Sequence, residues 1–279
     1  MKDLSIIIVN TNNKKILGEC LASIFQNTHK RSLEVIVSDN GSTDGSQEMI
    51  KSNFPQVSLI ENRENLGFIK ATNNGLKIST GRYVCLLNDD TIVKEDAFDK
   101  MIEFMEKSPN EIGCCTPKLL NIDGTYQHQG GLFQRKFWRS KEPTEISFAI
   151  GACLLLRREV MEKIGYLDEK LFFYNDDLDY CLRIKKGGYK IYYVPNAEII
   201  HYGGYSSKRT FNRRLFVEGF YGGLYFCKKH HGIAAYLLYR LFLFIGVLFF
   251  IPILILSYPF KREKFLDRLL AYFDILTIS

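Results

Sequence analysis

The chain has 279 residues, 46% of them hydrophobic and 24% charged, as expected of one large or two small globular domains. Seven cysteines, an odd number without metal-type pairing, argue against a disulfide framework and read as buried thiols in a reducing compartment. The net charge of +6 fits a solvated surface, an acidic membrane face or an anionic ligand; basic residues concentrate late in the chain beside an apolar run, which favours the last two, and no nucleic-acid partner is expected.

The opening "MKDLSIIIVN" has too short an apolar core for a signal peptide, so the N-terminus is expected to stay cytosolic. Three short runs, "LSIIIV" (4–9), "LEVIVS" (33–38) and "RYVCLL" (82–87), read as strands buried on both faces. Helical patterns lie between them at 14–26, 43–54 and 68–79, which predicts an α/β fold with a mainly parallel mixed sheet flanked by helices. Ligands in such sheets bind beyond the carboxyl ends of the strands. The polar clusters "NTNN" (10–13), "SDNGSTDGS" (38–46) and "NDDT" (88–91) all fall there. Residues 121–144 are polar and contain the only tryptophan, Trp138; order is expected to resume at "FAIGACLLLRR" (148–158), then a helix carrying "DLDYCLRIKK" and a strand "KIYYV".

No G-x-G-x-x-G, P-loop or H-E-x-x-H sequence is present, which disfavours a dehydrogenase, a P-loop NTPase and a zinc hydrolase. Asp39 could accept a hydrogen bond from a nucleobase imide, or could simply serve a tight turn. Gly67 leads into a helix and offers a backbone contact to phosphate. Asp89 and Asp90 fit either a Mg²⁺ or Mn²⁺ site or the cap of a helix starting near 91–95, with Asn88 suited to a ribose hydroxyl. Asp176, Asp177 and Asp179 open another helix, where the dipole favours negative charge by ~0.3–1 kcal/mol each. Crowding also raises a carboxylate's pKa and makes it a better general base. His201, at another strand end, is a packed residue or a ligand.

Taken in order, "SIIIVNTNN", "VIVSDNGSTDGS", "ENLGFIKATNNGL", "YVCLLNDDT", "GACLLLRREVMEKIGYLDEKLFFYNDDLDYCLR" and "PNAEIIHYGG" resemble the family-2 glycosyltransferases of GT-A fold, over about residues 4–205. The likeness is particularly to the rhamnosyltransferase-like branch that builds bacterial surface polysaccharides such as O-antigen and capsule. The resemblance implies a nucleoside-diphosphate-sugar donor, dTDP- or UDP-linked, with Thr11, Asn12, Asp39, Asn65, Gly67, Asn73, Asn88 and Asp89 on its nucleotide side. It implies a Mg or Mn divalent cation at Asp90 and His201, and Asp177 as the base of an inverting transfer. Trp138, Gly151, Ala152 and Asp176 would face a saccharide acceptor, expected to be lipid-linked. Two positions depart from the family pattern: Asn88 replaces an acidic residue and Asp176 a glutamate. A catalytically inactive binding or assembly subunit, or a sugar nucleotidyltransferase, are the rival readings; the retained acids disfavour the first, and the lack of glycines in "NTNNKK" the second.

The catalytic domain is expected over 1–232 and a membrane-associating helical segment over 233–279. Leu241 to Phe260 carries no charge over 20 residues, about 30 Å as a helix. Its flanks are about equally basic, so the positive-inside rule does not favour separating them. Pro252 can bend the helix, and Phe265, Leu266, Leu269, Leu270 and Phe273 line one face of an amphipathic helix. The expectation is a re-entrant or in-plane element with both ends cytosolic, holding the protein at the cytoplasmic face of the cell membrane.

Overall fold

The computed structural model describes residues 2–129, 136–172, 174–203, 212–256 and 265–277. The chain opens with β1 (Leu4–Asn10), α1 (Lys14–Asn27), β2 (Leu33–Asn40), α2 (Ser46–Asn53), β3 (Ser58–Asn62), α3 (Phe68–Ile78) and β4 (Tyr83–Asn88). Then follow β5 (Thr91–Val93), α4 (Ala97–Lys107), β6 (Ile112–Leu120), a 3-10 turn at Phe137–Arg139, β7 (Thr144–Ile146) and β8 (Cys153–Arg157). The remaining elements are α5 (Arg158–Ile164), α6 (Asp176–Lys186), β9 (Lys190–His201), α7 (Arg213–Leu256) and α8 (Phe265–Thr277).

Among the described residues one mixed sheet runs β3-β2-β1-β4-β8-β6-β9-β5, with β7 also on β9. β1 to β4 pair in parallel, as alternating strands and helices require, and β8 then joins β4 antiparallel. β-Branched runs fill both faces of the central strands. Ile6, Ile8, Val35, Val37 and Cys85 pack with Leu17, Leu21 and Ile24 of α1 and with Phe98 and Met101 of α4. Each such burial contributes about 1.5–3 kcal/mol. The seven cysteines are all free and six are buried.

One helix is displaced from its expected place. Residues 91–93, Thr-Ile-Val, form β5 rather than a helix start, and α4 begins only at Ala97. Three residues rich in β-branching fit a pleated edge better than a first helical turn. β5 pairs antiparallel with the end of β9, setting Thr91 opposite His201. Asp89 and Asp90 therefore sit in the turn between two strands and cap no helix.

The chain divides into two compact units. The first comprises the described residues up to 169 and 176–203; the second comprises residues 170–172, 174, 175, 212–256 and 265–277. The division thus falls earlier than the boundary expected at 232. Gly232 is nonetheless a break: at φ 83° and ψ −176° it interrupts α7 inside the second unit. Leu224, before the break, shares a cluster with Leu243 and Val247, after it, and with Ile275 of α8. That packing makes both parts of α7 members of one unit.

Candidate active site

Parallel register places three carboxyl-terminal strand ends side by side, with Asn10 opposite Asp39 and Val9 opposite Asn88. Asn10 Nδ2 donates to Asp39 Oδ2 at 2.7 Å, while Ser42 N and Gln47 Nε2 donate to Asp39 Oδ1 at 2.9 and 2.8 Å. Asp39 has no exposed surface. It holds the turn after β2. Asn12, exposed at φ 51°, accepts from Thr43 N at 2.7 Å; Thr11 beside it is half-buried.

Two further residues expected on the donor side are engaged within the protein. Gly67 N–H is taken by Asn65 Oδ1 at 2.9 Å, and Asn40 Nδ2 donates to Gly67 O at 3.1 Å, so this backbone stabilises its own loop. Asn73 is buried and spends its amide on Leu167, donating to its carbonyl at 2.9 Å and accepting from its N–H at 3.0 Å. It ties α3 to the segment before α6. Asn65 itself remains exposed.

The acidic turn is different. Asp90 is buried, and its Oδ1 lies 3.2 Å from His201 Nε2; Asn88 Nδ2 lies 3.3 Å from the same nitrogen. Gln127 fixes the imidazole. Its Nε2 donates to His201 O at 3.1 Å and to Asn121 Oδ1 at 3.2 Å, which leaves Oε1 to face His201 Nδ1 at 2.7 Å. Nδ1 then donates to Gln127. Nε2 is left facing a carboxylate oxygen, and the two converge in an arrangement that a proton or a cation between them satisfies. Asp89, half-buried beside them, takes one hydrogen bond from Asn13 Nδ2 at 3.1 Å. Burial, with the charge of Asp90 adding, pushes its carboxyl up to about 7.

These donors suit a hard divalent cation of the Mg or Mn class. Such ions take one or two protein ligands and complete their shell with water and phosphate oxygens. Among the described residues no group of three His, Cys, Asp or Glu side chains could hold a metal. A cation at Asp90 and His201 would therefore depend on oxygens from a ligand. Gln127 was not legible as part of this site, since no sequence periodicity links it to residue 201.

The second acidic cluster is joined to the first through the sheet. Asn88 N donates to Ala152 O at 3.0 Å, and Gly151 N donates to Asp177 Oδ2 at 3.2 Å. Leu178 N caps the other oxygen of Asp177 at 2.8 Å. Burial raises the Asp177 carboxyl; burial and then the neighbouring Asp177 charge push Asp176 up to about 7. Desolvation, rather than the crowding expected from sequence, is the leading cause. Asp179 is set apart, ion-paired to Arg183 at 2.7 Å. Among the described residues no basic side chain pairs with Asp176 or Asp177.

Two residues expected on the acceptor side are buried. Trp138 and Phe137 are buried, and Trp138 packs edge-on against His128 and Phe137 with centroids at 4.3 and 5.5 Å. Ala152 is buried as well and acts through its carbonyl.

Comparison with known proteins agrees with this arrangement. Over 241 residues the chain is 27% identical to N-acetylglucosaminyl-diphospho-decaprenol L-rhamnosyltransferase of Mycobacterium tuberculosis, covering 74% of this chain and 78% of that protein. Mannosyltransferase PcManGT from Pyrobaculum calidifontis, solved with GDP-Man and Mn²⁺, shares the fold at TM-score 0.62 and 14% identity, over 99% of this chain and 86% of that one. GalNAc-T7, solved with UDP, GalNAc and Mn²⁺, matches at TM-score 0.60 and 20% identity over 72% of this chain; the match spans 43% of that longer chain. The common architecture is the GT-A glycosyltransferase fold. Residues 5–165, which carry β1 to β8 and the acidic turn at their centre, match Glycosyl transferase family 2, and the chain belongs to that family.

Proposed function

We propose that this glycosyltransferase moves a sugar, such as rhamnose, from a dTDP- or UDP-linked donor to a hydroxyl of a lipid-linked saccharide, with inversion. The observation that carries the reading is the meeting of Asp90 Oδ1 and His201 Nε2 at 3.2 Å, linked through Asn88, Ala152 and Gly151 to the carboxylate of Asp177. Asp90 and His201 would hold a divalent cation, which when bound neutralises charge on the departing diphosphate. Asn88 and Asp89 border the donor beside them, with Thr11 and Asn12 at the end of β1. Asp177, held by the Gly151 and Leu178 N–H groups, takes the proton of the acceptor hydroxyl. That oxygen forms its bond to the anomeric carbon as the bond to the diphosphate oxygen breaks on the opposite face. The electron pair leaves with the nucleoside diphosphate. The similarity to a rhamnosyltransferase whose name specifies a diphospho-decaprenol acceptor supports the lipid-linked substrate.

The second unit supports a position at the cytoplasmic face of the membrane. α7 is long and apolar enough to cross a bilayer, and Leu241, Phe242, Leu248, Phe249 and Leu256 are exposed on it. Yet Arg213 at its start holds Asp274 near the end of α8 in a two-pronged ion pair, at 2.6 and 2.7 Å. With Gly232 breaking the helix between them, the two ends of the unit meet. Crossing the bilayer between Arg213 and Asp274 would require a return crossing, and α8, 13 residues, is too short for one. The meeting of these two ends favours an in-plane or re-entrant element.

A panel of dTDP- and UDP-sugars with Mn²⁺ tests the donor, since a donor at 100 times its Kd stabilises by about 2.7 kcal/mol. Transfer is then followed onto N-acetylglucosaminyl-diphospho-decaprenol, with the anomeric configuration of the product read by NMR. Retention of configuration, or donor-independent melting across the panel, would overturn the reading.

A further inference from the structure

The residues just before the Asp176–Asp177 pair are held in an unusual backbone state. Tyr174 and Asn175 have φ of 66° and 61°, a left-handed pair without glycine. Asparagine tolerates that region, but a bulky tyrosine there is an outlier that persists only when its surroundings enforce it. The enforcing contacts come from the first part of α7, within the second unit. Asn175 Nδ2 donates to Gly219 O at 2.9 Å, and the Arg214 guanidinium covers the Phe172 ring at 4.0 Å. Gly222 lies against the same asparagine so closely that a Cβ there would meet Asn175 Nδ2 at 2.6 Å and its Cβ and Cγ at 3.3 Å. The amide cannot swing aside without breaking its bond to Gly219 O.

We infer that Asn175 and Gly222 are positioning residues for the transfer: the start of α7 fixes the left-handed turn from which α6 launches Asp177 toward Gly151. This goes beyond the role proposed for Asp177 and rests on it for its catalytic consequence.

The test uses the full chain in detergent and reads amide hydrogen exchange, which needs no substrate. Gly222→Ala should speed exchange at the amides of Gly151 and Leu178, which Asp177 holds, by about tenfold or more, and leave β1 to β4 unchanged. Two controls sit on the same helix: at Gly246 a Cβ meets nothing within 4 Å, and at Gly219 it makes an ordinary 3.6 Å contact with Tyr174. Gly246→Ala and Gly219→Ala should both leave the pattern intact. In the Gly222→Ala background, Asn175→Gly removes the obstructing amide and accepts positive φ, and should restore protection in part. Unchanged exchange in Gly222→Ala, or equal loosening across β1 to β4, overturns the inference. Where Gly222→Ala does not fold, Asn175→Asp decides, because it keeps the shape and cannot donate to Gly219 O. With dTDP-L-rhamnose, Mn²⁺ and N-acetylglucosaminyl-diphospho-decaprenol as probes, kcat should fall about 10²-fold while the donor KM holds. Combined with Asp177→Asn, Gly222→Ala should add no further loss. Full activity of Asp177→Asn alone would overturn the base assignment and leave the exchange result standing.

Discussion

Replacing Asp177 with asparagine separates chemistry from folding. The carboxylate takes two backbone donors, Leu178 N at 2.8 Å and Gly151 N at 3.2 Å, one on each oxygen. Asparagine keeps one acceptor and turns an N–H₂ toward the other donor, so one of the two bonds is lost. Leaving a part-buried donor unpaired costs about 1–3 kcal/mol. Against this, burial already disfavours the charged carboxylate, which is why its pKa is raised, and the neutral amide removes that penalty. The two effects oppose each other, and the variant should melt within a few degrees of the parent. Its transfer rate should fall ~10²–10⁴-fold, the usual cost of removing a general base, equivalent to about 3–5 kcal/mol on the barrier. The assay is release of nucleoside diphosphate with and without acceptor, alongside donor binding by thermal shift. Turnover within about threefold of the parent would refute the assignment and move the base to Asp176.

Asp90→Ala should abolish the Mn²⁺-dependent part of donor stabilisation, and a shift that survives both this change and EDTA would remove the cation from the mechanism. Asn73→Ala should lower stability by about 1–3 kcal/mol for each Leu167 backbone group left unpaired, read as a lower melting temperature, and leave donor binding unaltered; weakened donor binding would give it a donor-side role. Burial pushes Asp176 up to about 7 from the ordinary aspartate value of about 3.9, so the folded state binds the proton more tightly and stability falls as pH rises between those values. Asp176→Asn should therefore stabilise at pH 8, on the order of 2–4 kcal/mol, and give no gain below pH 4, as checked by melting across that range. Thr277→Cys in a Cys227→Ser background should be labelled only after the inner leaflet is permeabilised; labelling of intact cells would establish a crossing.

What the sequence determined was the alternating half of the fold and the loci of the acidic residues. β-Branched runs buried on both faces can only be interior strands, and polar clusters at their carboxyl ends mark where a ligand binds. The order of motifs was enough to indicate the family over residues 4–205. The free cysteines, too, followed from their apolar surroundings. Which polar residues face the site was decided by tertiary structure alone. Asp39, Asn73 and Trp138 are all buried and held by hydrogen bonds or packing that no local pattern records. Gln127 joins the site because β5 and β9 pair across more than a hundred residues, bringing His201 to Asp90. A one-dimensional pattern records the period of burial along an element; it does not record which distant element closes over a side chain. The strain at Tyr174 and Asn175 belongs to the same class, since a left-handed turn without glycine exists only through contacts such as that of Gly222 with Asn175.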